Sequence, residues 1–231
     1  MDELERLLQG NDEHVARIAA DHFDGVRDGQ APDAVSVSCS DSRVPAEGVW
    51  SAHADGDLFT SVNVGNQAWT DVDGERVVND AVGYAVSVLG VELIAVLGHT
   101  GCGAVTAAYE SVTGRADGQK SMPPAVEAAV ERLAPVVESA RDDGVFDGDT
   151  PASVAVNRLV ERAVGAQVRF LVDDDAVPDD VTVAGFVYDF QRVYGDEDGA
   201  AYLVSLDGET DAEALRERVG DDHAGHVPSG V

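Results

Sequence analysis

LIAVLGHTGCGAV, residues 93–105, changes character halfway along, and its reading decides the fold. LIAVLGH is almost continuously apolar, which suits a strand covered on both faces of a parallel sheet. After His99 the chain turns, and Cys102 and Gly103 open the next helix. A strand that feeds a helix through a short turn is the repeating unit of α/β proteins.

The flanking segments continue that alternation. AVSVSCS (34–40), entered through Ala31-Pro32-Asp33, reads as a short strand of small and β-branched residues, and DLFTSVNVG (57–65) as another. ERVVNDAVGYAVSVLG (75–90) sets Val78, Ala81, Val82, Ala85, Val86 and Leu89 on one broad apolar face. That run is long for a strand, so it reads as a helix despite its β-branched content. Two more helices are predicted over 123–142 and 151–172, the first kinked or broken at Pro135. VTVAGFVYDF (181–190) and AYLVSLD (201–207) read as a strand pair.

Residues 2–28 read as helical, with Leu4, Leu7 and Leu8, then Val15, Ile18 and Ala19 at helix spacing, interrupted near Gly10-Asn11. This stretch is polar on most faces and suits an arm packing on a neighbouring subunit. Residues 220–231 read as a flexible tail. The expectation is one domain over 1–231, an α/β fold with a mostly parallel β-sheet flanked by helices and an N-terminal helical arm over 1–28.

Composition narrows the partners. Asp and Glu total 44 against 15 basic residues, a net charge of −29, and Lys120 is the only lysine. Such a field repels nucleic acid and anionic lipid. Disorder is the bland reading of that acidity, but 44% apolar content with regular periodicity argues against it. An acidic, lysine-poor surface suits high salt, where counterions screen self-repulsion within a few ångströms, so a halophilic protein is expected. The sequence has no apolar run of membrane-spanning length. The acidic start MDELERLLQGNDEH is unlike a secretory leader, so a cytoplasmic location is expected.

Two cysteines in such a chain do not make a disulfide scaffold. Cys39 ends the first predicted strand, His99 ends the third, and Cys102 follows in the turn. The carboxyl edge of an open α/β sheet is where ligands bind. A His-x-x-Cys turn brings an imidazole and a thiolate to one point, and Cys39 on a neighbouring strand supplies a third ligand. The helix N-terminus favours the anionic form of Cys102. Two cysteines, one histidine and an open fourth position describe a catalytic zinc site. Zinc lowers the pKa of bound water from 15.7 toward roughly 7, which makes hydroxide available to attack a small electrophile.

Asp41, two residues beyond Cys39, is placed to orient that water, and Arg43 can hold Asp41 in a bidentate pair and keep it ionised. Competing readings are an inert buried thiol pair, a Cys39–Cys102 disulfide and a surface Asp41–Arg43 ion pair of little worth. The disulfide is disfavoured in a reducing setting beside His99. His14, His22, His223 and His226 read as solvent-exposed; for His53, in SAHADGD, the readings are a proton carrier or no role, and the second is favoured.

CSDSRVP (39–45), GDLFTSVNVGN (56–66), YAVSVLGV (84–91) and LGHTGCGAV (97–105) together resemble the β-class carbonic anhydrases. The resemblance runs from about residue 28 to 109 and resumes more weakly in ASVAVNRLVERAVGAQV and GFVYDF. It implies one zinc ion per subunit on Cys39, His99 and Cys102, an Asp41–Arg43 dyad, and reversible hydration of carbon dioxide to bicarbonate and a proton. In plant-type members a glutamine, a phenylalanine and a tyrosine line the substrate pocket, and Gln30, Phe59 and Tyr84 stand at the matching positions. The backbone amide of Gly103 is a further candidate donor to bicarbonate. The resemblance also implies a homodimer or a multiple of dimers, with N-terminal helices embracing the partner.

Two positions depart from the family pattern. Val62 stands where an arginine is usual, and Ser36 where the bacterial subclass with an effector bicarbonate site carries tryptophan. An effector site of that kind, and the closed-site switch linked to it, are therefore not expected. The same fold and metal set also serve hydrolases of carbonyl sulfide or carbon disulfide, and a non-catalytic zinc or redox protein is the alternative from another class.

Overall fold

In the computed structural model, which describes residues 2–52, 56–115 and 121–228, the strand read at 93–99 lies at the centre of a five-stranded sheet. The strands are β1 (Ala34–Cys39), β2 (Leu58–Asn63), β5 (Leu93–His99), β6 (Thr182–Asp189) and β7 (Ala200–Leu206), in the order β2-β1-β5-β6-β7. The first four run parallel and β7 antiparallel to β6. This is the mostly parallel α/β sheet that the alternation of strands and helices predicts.

Side-chain alternation along β6 divides the core between two faces. Val183 and Val187 join the main cluster with Ile94, Val96, Val160, Val164 and Val168, whereas Ala184 packs with Leu203, Leu215 and Val227. The main cluster is covered by α4 (Gly103–Val112), α5 (Pro124–Glu131), α6 (Ala134–Asp142) and α7 (Ala152–Asp173), and the smaller one by α8 (Ala212–Val219). At Gly98 the helix comes very close to the strand: a Cβ there would lie 2.6 Å from Val164 Cγ2. Only glycine lets α7 seat so tightly behind His99.

Several elements differ from the sequence expectation. The run 75–90 is not one helix. Its first four residues are β4 (Glu75–Val78), paired antiparallel with β3 (Trp69–Val72) in a separate two-stranded hairpin. The turn is Asp73-Gly74 with φ of 53° and 85°, the left-handed pair that a two-residue hairpin requires. The helix starts only where the Asn79 side chain accepts from Val82 N at 2.8 Å, giving α3 (Asp80–Tyr84) and a π-helical turn over Ala85–Leu89. The helix over 123–142, by contrast, is broken as expected, into α5 and α6, with Pro135 in the first turn of α6.

Residues 1–30 form one compact unit and 31–231 another. In the first, α1 (Glu3–Arg17) passes through Gly10-Asn11 without interruption and ends at Ile18, so it is shorter and smoother than the helix expected over 2–28. Reciprocal bonds between Asp2 and Glu5 cap its start. Leu4, Leu7, Leu8 and Val15 on it are all more than half exposed. Of the segment expected as a loose tail, residues 229–231 lie outside the described residues; in the described part Val227 is 4% exposed, and Arg216 donates to the carbonyls of Val227 and Pro228. No helix among the described residues is long and apolar enough to cross a membrane.

Candidate metal centre

β1 and β5 are adjacent and parallel, so their carboxyl ends arrive side by side, delivering Cys39 and His99 to one edge of the sheet. The turn Thr100-Gly101 then carries the chain into α4, with Cys102 as its N-cap residue. Gly101 sits at φ +63°, and a Cβ there would lie 2.6 Å from Gln191 Nε2, so the turn requires glycine. Its amide donates to Asn157 Oδ1 at 2.9 Å, which ties the turn to α7.

The donor atoms of Cys39, His99 and Cys102 all lie within 4.8 Å of one another. His99 is fully buried, and the cysteines are 7% and 1% exposed. His99 Nδ1 lies 3.0 Å from the carbonyl of Thr100, a contact that places the proton on Nδ1 and leaves the Nε2 lone pair free. Nε2 is buried and has no hydrogen-bond partner among the described residues. A buried imidazole nitrogen without a partner is costly unless a metal fills the gap, so the donor set fits zinc.

Both thiols are free rather than joined in a disulfide. The Cys39 thiol is lowered to about 4, first by the hydrogen bond from Cys102, against burial, and with help from His99 and the amides of Gly65 and Asp41. The same contact, with burial, raises Cys102. Metal binding would displace the protons that the two thiols carry.

Asp41 stands at the rim, its Oδ2 3.9 Å from His99 Nε2. Arg43 Nε donates to Asp41 Oδ1 at 2.8 Å and Nη2 to Oδ2 at 2.7 Å, and the Arg43 backbone amide also reaches Oδ1 at 3.0 Å. These bonds, led by the guanidinium, hold the Asp41 carboxyl well below the usual carboxylate range. Thus the three sulfur and nitrogen donors, Asp41 and Arg43 are gathered at one edge, and Gly103 follows Cys102 as the first residue of α4.

The expected aromatic pocket pair is not at that edge. Phe59 and Tyr84 do pair with each other, with ring centroids 5.9 Å apart. Phe59, however, is in register with Val35, whereas Cys39 is in register with Asn63. Four residues of strand separate the two levels, about 13 Å. Tyr84 is 45% exposed. Gln30 is an exposed coil residue closing the N-terminal unit. His14, His22, His223 and His226 are exposed, and His53 lies outside the described residues. At Ser36 the Trp50 indole donates to the hydroxyl at 3.0 Å, so another tryptophan caps the position where the resemblance has one. Val62 is 55% exposed.

Sequence reasoning missed the groups behind the site. Asp189, at the carboxyl end of β6, is fully buried and accepts from Thr100 Oγ1 and from the amides of Gln191, Val193 and Tyr194. Phe190 follows it, its ring stacked on His99 at 5.7 Å and lying under the Arg43 guanidinium at 4.4 Å. The available signal was position: YDF ends a strand in the same sheet edge as Cys39 and His99.

A sequence model of the family described as carbonic anhydrase matches residues 34–194. Carbonic anhydrase 2 of Mycobacterium tuberculosis is 39% identical over 142 residues, or 61% of this chain, and the match spans 62% of that relative's length. A carbonic anhydrase of Pseudomonas aeruginosa is 44% identical over 78 residues, 34% of this chain and 35% of its own. The β-carbonic anhydrase of Aspergillus fumigatus superposes with a TM-score of 0.70 at 25% identity, covering 94% of this chain and 97% of that one. A Coccomyxa β-carbonic anhydrase, solved with acetazolamide, shares the fold with a TM-score of 0.69 at 23% identity, covering 94% and 92%.

Proposed function

The chain belongs to the β class of the carbonic anhydrase family, and from that premise we propose that it catalyses the reversible hydration of carbon dioxide to bicarbonate and a proton. The observation that carries this reading is the partnerless, buried Nε2 of His99 beside two free thiols within 4.8 Å. Zinc bound there supplies the Lewis acidity that brings the pKa of water into the neutral range.

The protein's own groups do the rest. His99 donates through Nδ1 to Thr100 and so presents Nε2 as a donor of fixed direction. Asp41, kept ionised by Arg43, accepts a hydrogen bond from the attacking water and fixes its orientation. The Gly103 amide, at the start of α4, serves as a donor to an oxygen of the forming bicarbonate.

Phe59 and Tyr84 supply the apolar wall of the carbon dioxide pocket, but to the centre of a second copy, because Phe59 stands four residues of strand, about 13 Å, from the level of Cys39, and Tyr84 pairs with it. A homodimer, or a multiple of dimers, also accounts for the exposed leucines of α1. The β-carbonic anhydrases of Sordaria macrospora, which share the fold, are tetrameric.

The net charge of −29 supports a protein adapted to high salt. Its thermal midpoint is expected to rise by about 10 °C or more between dilute buffer and molar KCl as self-repulsion is screened. A midpoint indifferent to salt removes that part of the reading. For the reaction, stopped-flow assays with carbon dioxide, run beside carbonyl sulfide on the same zinc-loaded protein, are expected to show turnover of carbon dioxide. Turnover of the sulfur compound alone reassigns the substrate.

A further inference from the structure

Arg43 and Asp41 are bonded at short range, yet Arg43 is 53% exposed. An ion pair so open to water has little to fix its geometry, because solvent screens the charge and the long side chain has many rotamers. A ring packed against the guanidinium adds a restraint that the ion pair alone lacks. The one described aromatic ring under it is that of Phe190, with Arg43 Cζ 4.4 Å from the ring centroid. The same ring stacks on His99, with centroids 5.7 Å apart and planes 25° apart.

Phe190 is itself anchored from below. Its amide donates to Thr100 Oγ1 at 3.3 Å, and Thr100 Oγ1 donates to the buried carboxyl of Asp189 at 3.3 Å. Asp189 also accepts the amides of Gln191, Val193 and Tyr194 at 2.7 to 2.9 Å, so the segment bearing Phe190 is tied on both sides. Thr100 is at the same time the carbonyl partner of His99 Nδ1. One anchored phenyl ring therefore touches both the buried ligand and the outer arginine.

We propose that Phe190 is a positioning residue of this centre: its ring holds Arg43, and through Arg43 the Asp41 carboxylate, in register with His99. The proposal rests on Asp41 and Arg43 being working groups of the centre, as argued above. It assigns Phe190 no contact with substrate.

The direct readout is hydrogen exchange at Arg43 Nε–H, followed by NMR in the zinc-loaded protein and identified by its loss in Arg43→Lys. That proton is bonded to Asp41 Oδ1. In Phe190→Leu its exchange is expected to speed up about fivefold, the scale of one exposed cation–π contact. Phe190→Tyr, which keeps the ring, is expected to stay within about twofold of the parent. Phe190→Met fills the space without a ring and serves where the leucine variant loses zinc or unfolds. Exchange unchanged in both ringless variants, or raised as much by tyrosine as by leucine, overturns the proposal. In carbon dioxide hydration, Phe190→Leu is expected to lower kcat about fivefold in the parent and not further in an Arg43→Ala background. An equal loss in both backgrounds shows that the ring supports the fold and not Arg43. Because exchange is read without turnover, a parent lacking hydration activity refutes the proposed reaction and leaves this test standing.

Discussion

Cys102→Ser and His99→Ala proteins, refolded and dialysed with zinc, are expected to retain less than about a tenth of a zinc ion per chain, against one for the parent. Three donors would hold the ion, and no fourth residue among the described ones joins their group. Removing one leaves two donors in a pocket built around three. The serine variant matters more, because it keeps nearly the same shape and replaces a soft thiolate with a neutral hydroxyl. His99→Ala also opens a void at a fully buried position, so loss of zinc there could follow from loss of fold. Metal analysis beside far-ultraviolet circular dichroism separates the two. Full zinc content in a folded Cys102→Ser protein would place the ion elsewhere.

Asp41→Asn is expected to keep its zinc and lose carbon dioxide hydration by about a hundredfold or more, the range for removing a positioned proton acceptor. The substitution preserves shape and alters none of the three donors. It removes the negative charge that Arg43 grips with two side-chain bonds, and turns one accepting oxygen into a donor facing Arg43 Nη2 or Nε. Measuring kcat beside zinc content in one preparation checks both halves. A folded, zinc-loaded Asp41→Asn protein with full activity removes Asp41 from the mechanism.

Much of this was legible in the chain. LIAVLGH announced a central strand because only a strand covered on both faces is apolar at successive positions. Cys39, His99 and Cys102 could be brought together because adjacent parallel strands end side by side, a rule of topology needing no coordinates. Asp41 and Arg43 are close in sequence, so their pairing needed only local geometry.

What stayed hidden depended on pairing or distance. The β3–β4 hairpin was masked by a helical period in Val78, Ala81, Val82 and Ala85, which the Asp73-Gly74 turn overrides. Phe59 and Tyr84 matched a pocket pattern by position, but the register of β1 against β2 sets Phe59, with Tyr84 paired to it, four residues of strand from the level of Cys39. Phe190 and Asp189 are some ninety residues beyond Thr100, and only the pairing of His99 with Tyr188 brings them to it. The packed C-terminal segment was missed because a single apolar residue, Val227, does the anchoring among polar neighbours.

On the proposed reading, the Cys39–His99–Cys102 group makes this chain a catalyst of carbon dioxide hydration. Stopped-flow hydration in molar KCl, on protein carrying one zinc ion per chain, tests it most directly. The expected result is a rate far above the buffer blank that disappears when zinc is chelated and returns when zinc is restored. A folded protein with zinc on those three residues and no acceleration over the blank would contradict it.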